Sequence, residues 1–360
     1  MKNILINGNF LCRNLTGVER FTWEVCSRLD NLIAETDSIS ILIPANARTL
    51  PEYKNIKIIR SKKSIKRFPM WDMGVFAKEC RKGCFTALNF GNTAPIGKAC
   101  GITFIHDIYA HDCPKDFSSF RDNLVKLYSC FQYKNICHNA IKIITVSEFS
   151  KKRIQKAYNV PDNKIAVIGN GWEHFKNIEC DESIFSQFPK LIKNNYYFTL
   201  GSLSKRKNLE WVAKYAKAHK NDIFAISGKA ISGLVPERLQ DLAKLHNVLL
   251  LGYTTDAQVK ALMKNCKAFI FPSYYEGFGI PPLEALSVGA SVIITRSASL
   301  PEIYGNSAHY IEKSYTDINL DELLKQPVEP PEEILGKYTY DKAARQLLDL
   351  LRDTGKTEEL

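Results

Sequence analysis

Short runs of four to eight apolar residues recur along the chain without alternating in polarity. The first series lies at 3–7, 39–44, 55–60, 102–106, 142–147 and 164–168, the second at 196–201, 222–227, 247–252, 268–273, 291–295 and 309–312. A strand wetted on one face alternates apolar and polar residues. A strand that is apolar throughout is covered on both faces, as in a parallel sheet between layers of helices. Amphipathic stretches at 18–29, 147–157, 209–220 and 257–265 separate the runs and predict the helices of βαβ units. The expected fold class is α/β, with two doubly wound, Rossmann-like domains at 1–175 and 190–330. Residues 173–195 are polar and lack a strand signal, and the Pro-rich, acidic stretch 327–333 is a linker by composition. A closing segment, 331–360, carries a last helix around 341–351 that is expected to pack back toward the first domain. In open α/β sheets ligands lie beyond the carboxyl ends of the strands, so the chemistry is sought just after each run.

Composition narrows the picture. The 360 residues are 45% hydrophobic and 24% charged, ordinary values that exclude wholesale disorder. No apolar run approaches the roughly 18 residues of a spanning helix. The start turns polar after Ile4, Leu5 and Ile6, too soon for a signal-peptide core, so a cytoplasmic protein is expected. The ten cysteines include no Cys-x-x-Cys pair. Cys80 and Cys84 have a spacing used in zinc sites, but no second pair completes one, so reduced thiols and no metal are expected. The net charge of +11 suits either nucleic acid or an anionic membrane face. Zinc-finger spacing, an RNP-like aromatic strand and a Lys/Arg-rich helix are all missing from the sequence, which argues against nucleic acid.

Two segments carry candidate chemistry. In the first, a strand ends at Ser273, a loop follows with Glu276, Gly277, Phe278 and Gly279, and Ile280, Pro281 and Pro282 open a helix that reaches Glu284. Glycines let the backbone approach a ligand, the first-turn N–H groups can hold a phosphate, and Glu276 and Glu284 can accept hydrogen bonds from sugar or ribose hydroxyls. Glu284 is read as lying in the first helical turn. The second segment, Gly201-Ser202-Leu203-Ser204-Lys205-Arg206-Lys207-Asn208, follows directly on a strand. Its three cations can neutralise a diphosphate, Arg206 as a fork and Lys207 as a point charge. Taken singly, each segment is also what an ordinary turn would show.

Together they closely resemble the retaining glycosyltransferases of family 4, which have the GT-B fold of two facing Rossmann-like domains with a cleft between them. The strongest part is the Glu-x7-Glu motif of Glu276 and Glu284, followed by Gly289 and by Ser299-Leu300-Pro301-Glu302-Ile303. Further likenesses are Thr16-Gly17-Val18-Glu19-Arg20 after the first strand, His106-Asp107, Thr145 to Ser150, and the Asn170-Gly171 turn. The resemblance implies sugar transfer from a nucleotide sugar, with retention and without a metal or other cofactor. Lys207, with Arg206, would grip the diphosphate. Glu276 would face the donor sugar, Glu284 would bind the ribose, His106 would orient a donor hydroxyl, and Gly17 and Asn170 would also line the donor site. Many members have Arg where this chain has Ser202, which leaves the phosphate charge to Arg206, Lys207 or Lys205. GDP-mannose, UDP-hexoses and dTDP-rhamnose all remain open as donors, and O-antigen or capsule assembly on a lipid-linked glycan acceptor is the usual setting. A sugar-nucleotide epimerase and a non-catalytic GT-B partner protein are the alternatives.

The rest of the charge has its own address. Between Lys54 and Arg67 there are seven cations and no acid, followed by Phe68, Met70 and Trp71. Lys62, Lys63, Lys66 and Arg67 with Trp71 are read as a patch for an anionic bilayer on the inner face of the membrane, with a solvated loop as the alternative.

Overall fold

The computed structural model describes residues 3–34, 37–201, 204–228 and 242–356. The chain forms two compact units. One takes the chain to Gly171 and resumes at Tyr338, and the other spans Trp172–Lys337.

The first unit is built on seven parallel strands: β1 (Ile4–Asn7), β2 (Ile39–Ile43), β3 (Lys57–Arg60), β4 (Thr86–Asn89), β5 (Ile102–Phe104), β6 (Lys142–Thr145) and β7 (Ile165–Val167). Their order is β3-β2-β1-β4-β5-β6-β7, so the strand order reverses beside β1. The longer helices are α1 (Gly17–Leu32), α2 (Phe120–Asn139) and α3 (Glu148–Tyr158). In the second unit six parallel strands follow: β8 (Tyr196–Leu200), β9 (Ile223–Ser227), β10 (Val248–Gly252), β11 (Ala268–Phe271), β12 (Val292–Thr295) and β13 (His309–Ile311). Here the order is β10-β9-β8-β11-β12-β13, with the reversal between β8 and β11. Its helices include α4 (Leu209–Ala218), α5 (Asp256–Asn265), α6 (Ile280–Ser287) and α7 (Leu300–Tyr304). A reversal point is where two neighbouring strand-end loops diverge and leave a crevice for a ligand.

Both sheets are covered as continuous apolar strands require. Ile4, Ile6 and Ile41 pack with Phe21 and Val25 of α1, whereas Tyr197, Phe224, Ile270 and Ile293 pack with Trp211 and Tyr215 of α4. The last helix, α8 (Tyr340–Lys356), belongs to the first unit. Tyr340, Ala344, Leu347 and Leu351 join the core of β1 and α1, and Asp341 Oδ1 receives Arg28 Nε at 2.6 Å.

The unit boundaries, Gly171/Trp172 and Lys337/Tyr338, differ from the expected limits at 175, 190 and 330. Residues 173–189, which straddle the expected boundary, form a cap on the second unit. Lys260 Nζ donates to the carbonyls of Phe175, Lys176 and Ile178 at 2.8, 3.1 and 2.6 Å, and Ile184 is buried. Likewise Glu329 N–H donates to Asn306 O at 3.0 Å, fastening the Pro-rich stretch to that unit. Several elements escape the sequence pattern, two of them for a plain physical reason. β4 contributes only Thr-Ala-Leu-Asn, too short and too weakly β-branched to register, and α2 is apolar on opposite sides, which erases the helical period.

All ten cysteines are free, and burial pushes the Cys80, Cys137 and Cys266 thiols up to about 12. Among the described residues no helix is long and apolar enough to cross a membrane.

Candidate active site

In the second unit the two candidate segments leave the sheet at its reversal point, after β8 and after β11. Ser202, next to Gly201, lies outside the described residues. Lys205–Lys207 form a single 3-10 turn, closed by the Asn208 N–H on Lys205 O at 2.9 Å. Asn208 then turns left-handed at φ 52°, a conformation asparagine tolerates, and its Nδ2 donates to Pro272 O at 3.1 Å and Lys313 O at 2.9 Å. Tyr274 N–H donates to Arg206 O at 3.0 Å. The basic turn is thereby fixed to the loops that follow β11 and β13.

Lys207 points into the crevice. Its stem lies over the α-carbon of Gly201, where a β-carbon would sit 3.3 Å from Lys207 Cδ, and its Nζ stands 4.5 Å from the centre of the Phe271 ring. The ammonium donates to Glu276 Oε1 at 2.7 Å. Glu276 is itself buried. Burial alone would push its carboxyl up, but the charges of Lys207 and then Arg206 outweigh it and hold the group below the ordinary carboxylate range. The site therefore holds an ionised carboxylate and two cations, all positioned by strand-end backbone.

The glycine loop is held from behind. Ser299 Oγ donates to Glu276 O at 3.0 Å and Phe278 O at 3.2 Å, and Tyr304 OH donates to Gly279 O. Gly279, at φ 89°, is the residue before α6, and a β-carbon there would lie 2.7 Å from Leu300 Cδ2. Ile280 is the first helical residue, followed by two prolines that need no hydrogen-bond partner. Glu284 is the fifth residue of α6, not part of its first turn. It faces His174, whose Nε2 is 2.9 Å from Glu284 Oε1. The sequence reading missed His174 because it sits in the polar stretch 173–195, which carries no strand signal. Its neighbours Trp172 and Phe175, in an otherwise polar segment, were the available signal, and Trp172 Nε1 does anchor that segment to Leu335 O at 3.0 Å.

The other candidates lie in the first unit. Gly17 is the first residue of α1, after β1. His106, just past β5, is buried between Phe21 and Phe104, with ring centroids 5.6 and 5.8 Å away. Its Nε2 is 2.7 Å from Phe90 O. Since a carbonyl only accepts, Nε2 carries the proton. Burial, opposed by that hydrogen bond and by Asp107 and Glu19, lowers the ring's pKa, so the neutral ring keeps a lone pair on Nδ1. Asn170 is buried, and its Oδ1 has no partner among the described residues.

Of the proposed surface patch, Lys62, Lys63, Lys66 and Arg67 are exposed but Trp71 is not. Trp71 is only 2% exposed, with Nε1 donating to Asn7 Oδ1 at 2.9 Å. Next to it the buried Asp72 accepts hydrogen bonds from Asn7, Asn9 and Thr93 at 2.9, 3.0 and 2.9 Å. Tryptophan after a basic run looks like a surface anchor, but the indole N–H had a polar partner inside.

The family model for glycosyl transferases group 1 matches residues 181–345, which contain both candidate segments. The O-antigen chain mannosyltransferase RfbU of Salmonella typhimurium is 27% identical over 271 residues, 73% of this chain and 72% of that protein. Two solved structures share the fold over 98% of this chain. Sucrose-phosphate synthase from Thermosynechococcus elongatus has a TM-score of 0.73 at 14% identity and is covered to 99%. HepE of Anabaena, solved with UDP and glucose, has a TM-score of 0.69 at 15% identity and is covered completely, at 100%. With two parallel-sheet Rossmann-like units and a group 1 domain around the paired Lys207 and Glu276, the chain is a glycosyltransferase of the GT-B type.

Proposed function

We propose that the protein transfers a hexosyl residue, with mannose favoured, from a nucleoside diphosphate sugar to a lipid-linked glycan acceptor in O-antigen or related surface polysaccharide assembly. The observation that carries the reading is the Lys207–Glu276 pair beside the glycine loop, at the strand-order reversal of the second unit. Mannose and O-antigen are suggested by the name of RfbU, and a nucleotide sugar donor by the ligands named for HepE.

The chemistry follows from the charges. Breaking the bond between the sugar and the diphosphate leaves negative charge on the departing phosphate and positive character on the sugar. Fixed cations and backbone dipoles stabilise the first, and a carboxylate stabilises the second. In this proposal Lys207 and Arg206, with Lys205 at the rim, meet the diphosphate. Because these protein cations carry that load, no metal or other cofactor is required. Gly201, Gly277, Phe278, Gly279 and Ile280 supply close backbone. Glu276 is ionised and receives hydrogen bonds from sugar hydroxyls, and Glu284, oriented by His174, receives those of the ribose. On the first unit, His106 Nδ1 can accept from a ligand hydroxyl, and Gly17 and Asn170 are the further candidates for ligand contact there. Transfer proceeds with retention of anomeric configuration, at the inner face of the cytoplasmic membrane, to which Lys62, Lys63, Lys66 and Arg67 are drawn.

NMR of the glycoside formed from GDP-mannose, UDP-glucose or dTDP-rhamnose tests this reading. An α-donor should give an α-product, and an inverted anomer would refute retention.

A further inference from the structure

Helix α2 is apolar on two sides. Tyr133, Ile136 and Cys137 enter the core, and at their level Gln132 and Asn135 hold the 94–97 segment: Ala94 N–H donates to Gln132 Oε1 at 3.1 Å, Gly97 N–H to Asn135 Oδ1 at 3.1 Å. The outer side carries Phe120, Leu124, Leu127 and Phe131, exposed by 82, 53, 64 and 48%. Steps of four, three and four residues put these side chains within about 60° of arc along about 16 Å of helix. Ile96, 51% exposed, lies in the segment that Asn135 holds. Isolated exposed apolar residues are ordinary, but a continuous stripe of large ones marks a surface that something covers.

Charge identifies what covers it. Arg121 and Lys134 are exposed on the same helix, and Lys62, Lys63, Lys66 and Arg67 are exposed on the same unit. Arg13 links the two stretches. Tyr128 of α2 feels the charges of Asp72 and Arg13, the Arg13 guanidinium lies 4.1 Å over the Phe68 ring, and Phe68 directly follows the basic run. Met70, 66% exposed, adds an apolar tip to that run. A second copy of this chain set against the stripe would bring these cations against their own likes. A bilayer with anionic headgroups offers opposite charge at the level of the cations and hydrocarbon at the level of the stripe.

We propose that α2 lies in the membrane surface, with Phe120, Leu124, Leu127 and Phe131 entering the acyl region and the cations of α2 and the basic run on the lipid phosphates. The inference rests on the membrane reading given above and adds the element that inserts. It predicts binding with two separable components, one sensitive to salt and one not.

Flotation with vesicles of phosphatidylcholine containing phosphatidylglycerol tests it. Relative to the unaltered chain, Leu124→Ser/Leu127→Ser/Phe131→Ser should lower partitioning at least tenfold, with thermal unfolding unchanged. Equal partitioning of the two would overturn the role of α2 while leaving the membrane reading in place, and failure of the unaltered chain to bind any vesicle would overturn both. A dimer in lipid-free buffer that the triple variant turns into a monomer would assign the stripe to self-association instead. Should the triple variant not fold, Leu127→Trp gives an independent readout. Brominated acyl chains should quench its emission beyond that of the native tryptophans, and no added quenching would overturn the inference.

Discussion

Lys207 and Glu276 share one hydrogen bond of 2.7 Å in a crevice that excludes most solvent. The ammonium helps hold Glu276 in its charged form. Lys207→Ala should lower turnover by about 10²–10³-fold, the usual cost of removing one fixed charge-stabilising donor. It should also let burial win at Glu276 and raise that carboxyl, detectable as an acid limb moved to higher pH. His106 gives a pH dependence of opposite origin. Burial lowers its pKa, so the unfolded chain takes up a proton that the native ring refuses. Stability should therefore decline as pH falls through the ordinary histidine value near 6.5 and show no such loss above it. Thermal melts across that range should flatten in His106→Asn. Lys207 and Glu276 were legible in the sequence because strand-end motifs are local. His174 was not, since its meeting with Glu284 is made by the folding of a segment that has no periodic signal. Trp71 was misread for the same reason, its partner Asn7 lying 64 residues away in the chain.

At the scale of elements, apolar strands were legible because burial on both faces leaves an unmistakable composition, and every described strand except β4 falls on a run read from the sequence. α2 was hidden for a physical reason that is also informative: a helix with one face in the core and another bare has no polar side to set its period. The glycine loop shows how an element can be held by its neighbours. Gly279 combines a φ of 89° with a Leu300 methyl 2.7 Å from where a β-carbon would be. Gly279→Ala should cost about 1–3 kcal/mol, measurable as a lowered melting temperature. Because the same residue precedes α6, donor affinity should fall with it.

At the scale of the molecule, the chain leaves the first unit at Gly171 and returns at Tyr338. α8 supplies Leu347, Leu348 and Leu351 to the core around β1 and α1. At about 2 kcal/mol per buried leucine these three alone contribute roughly 6 kcal/mol, comparable with the whole stability of a domain. Removing the chain after Lys337 should therefore abolish the cooperative unfolding transition of the first unit in calorimetry, and a truncated chain with both transitions intact would refute this account of α8. The boundaries were harder to read than the sheets, because the capping segment 173–189 and the Pro-rich stretch gain their order from contacts such as those of Lys260 and Asn306, not from their own pattern. The same two-unit division puts the proposed donor chemistry on 172–337 and the proposed membrane contact on α2 and the basic run. The donor chemistry is open to one decisive assay: release of nucleoside diphosphate from GDP-mannose, UDP-hexoses and dTDP-rhamnose, with a lipid-linked glycan as acceptor, compared between the native chain and an equally stable Lys207→Ala variant. The native chain should consume one donor of the panel and the variant should lose at least about 10²-fold of that rate; full turnover in the variant, or no donor consumed by the native chain, would contradict it.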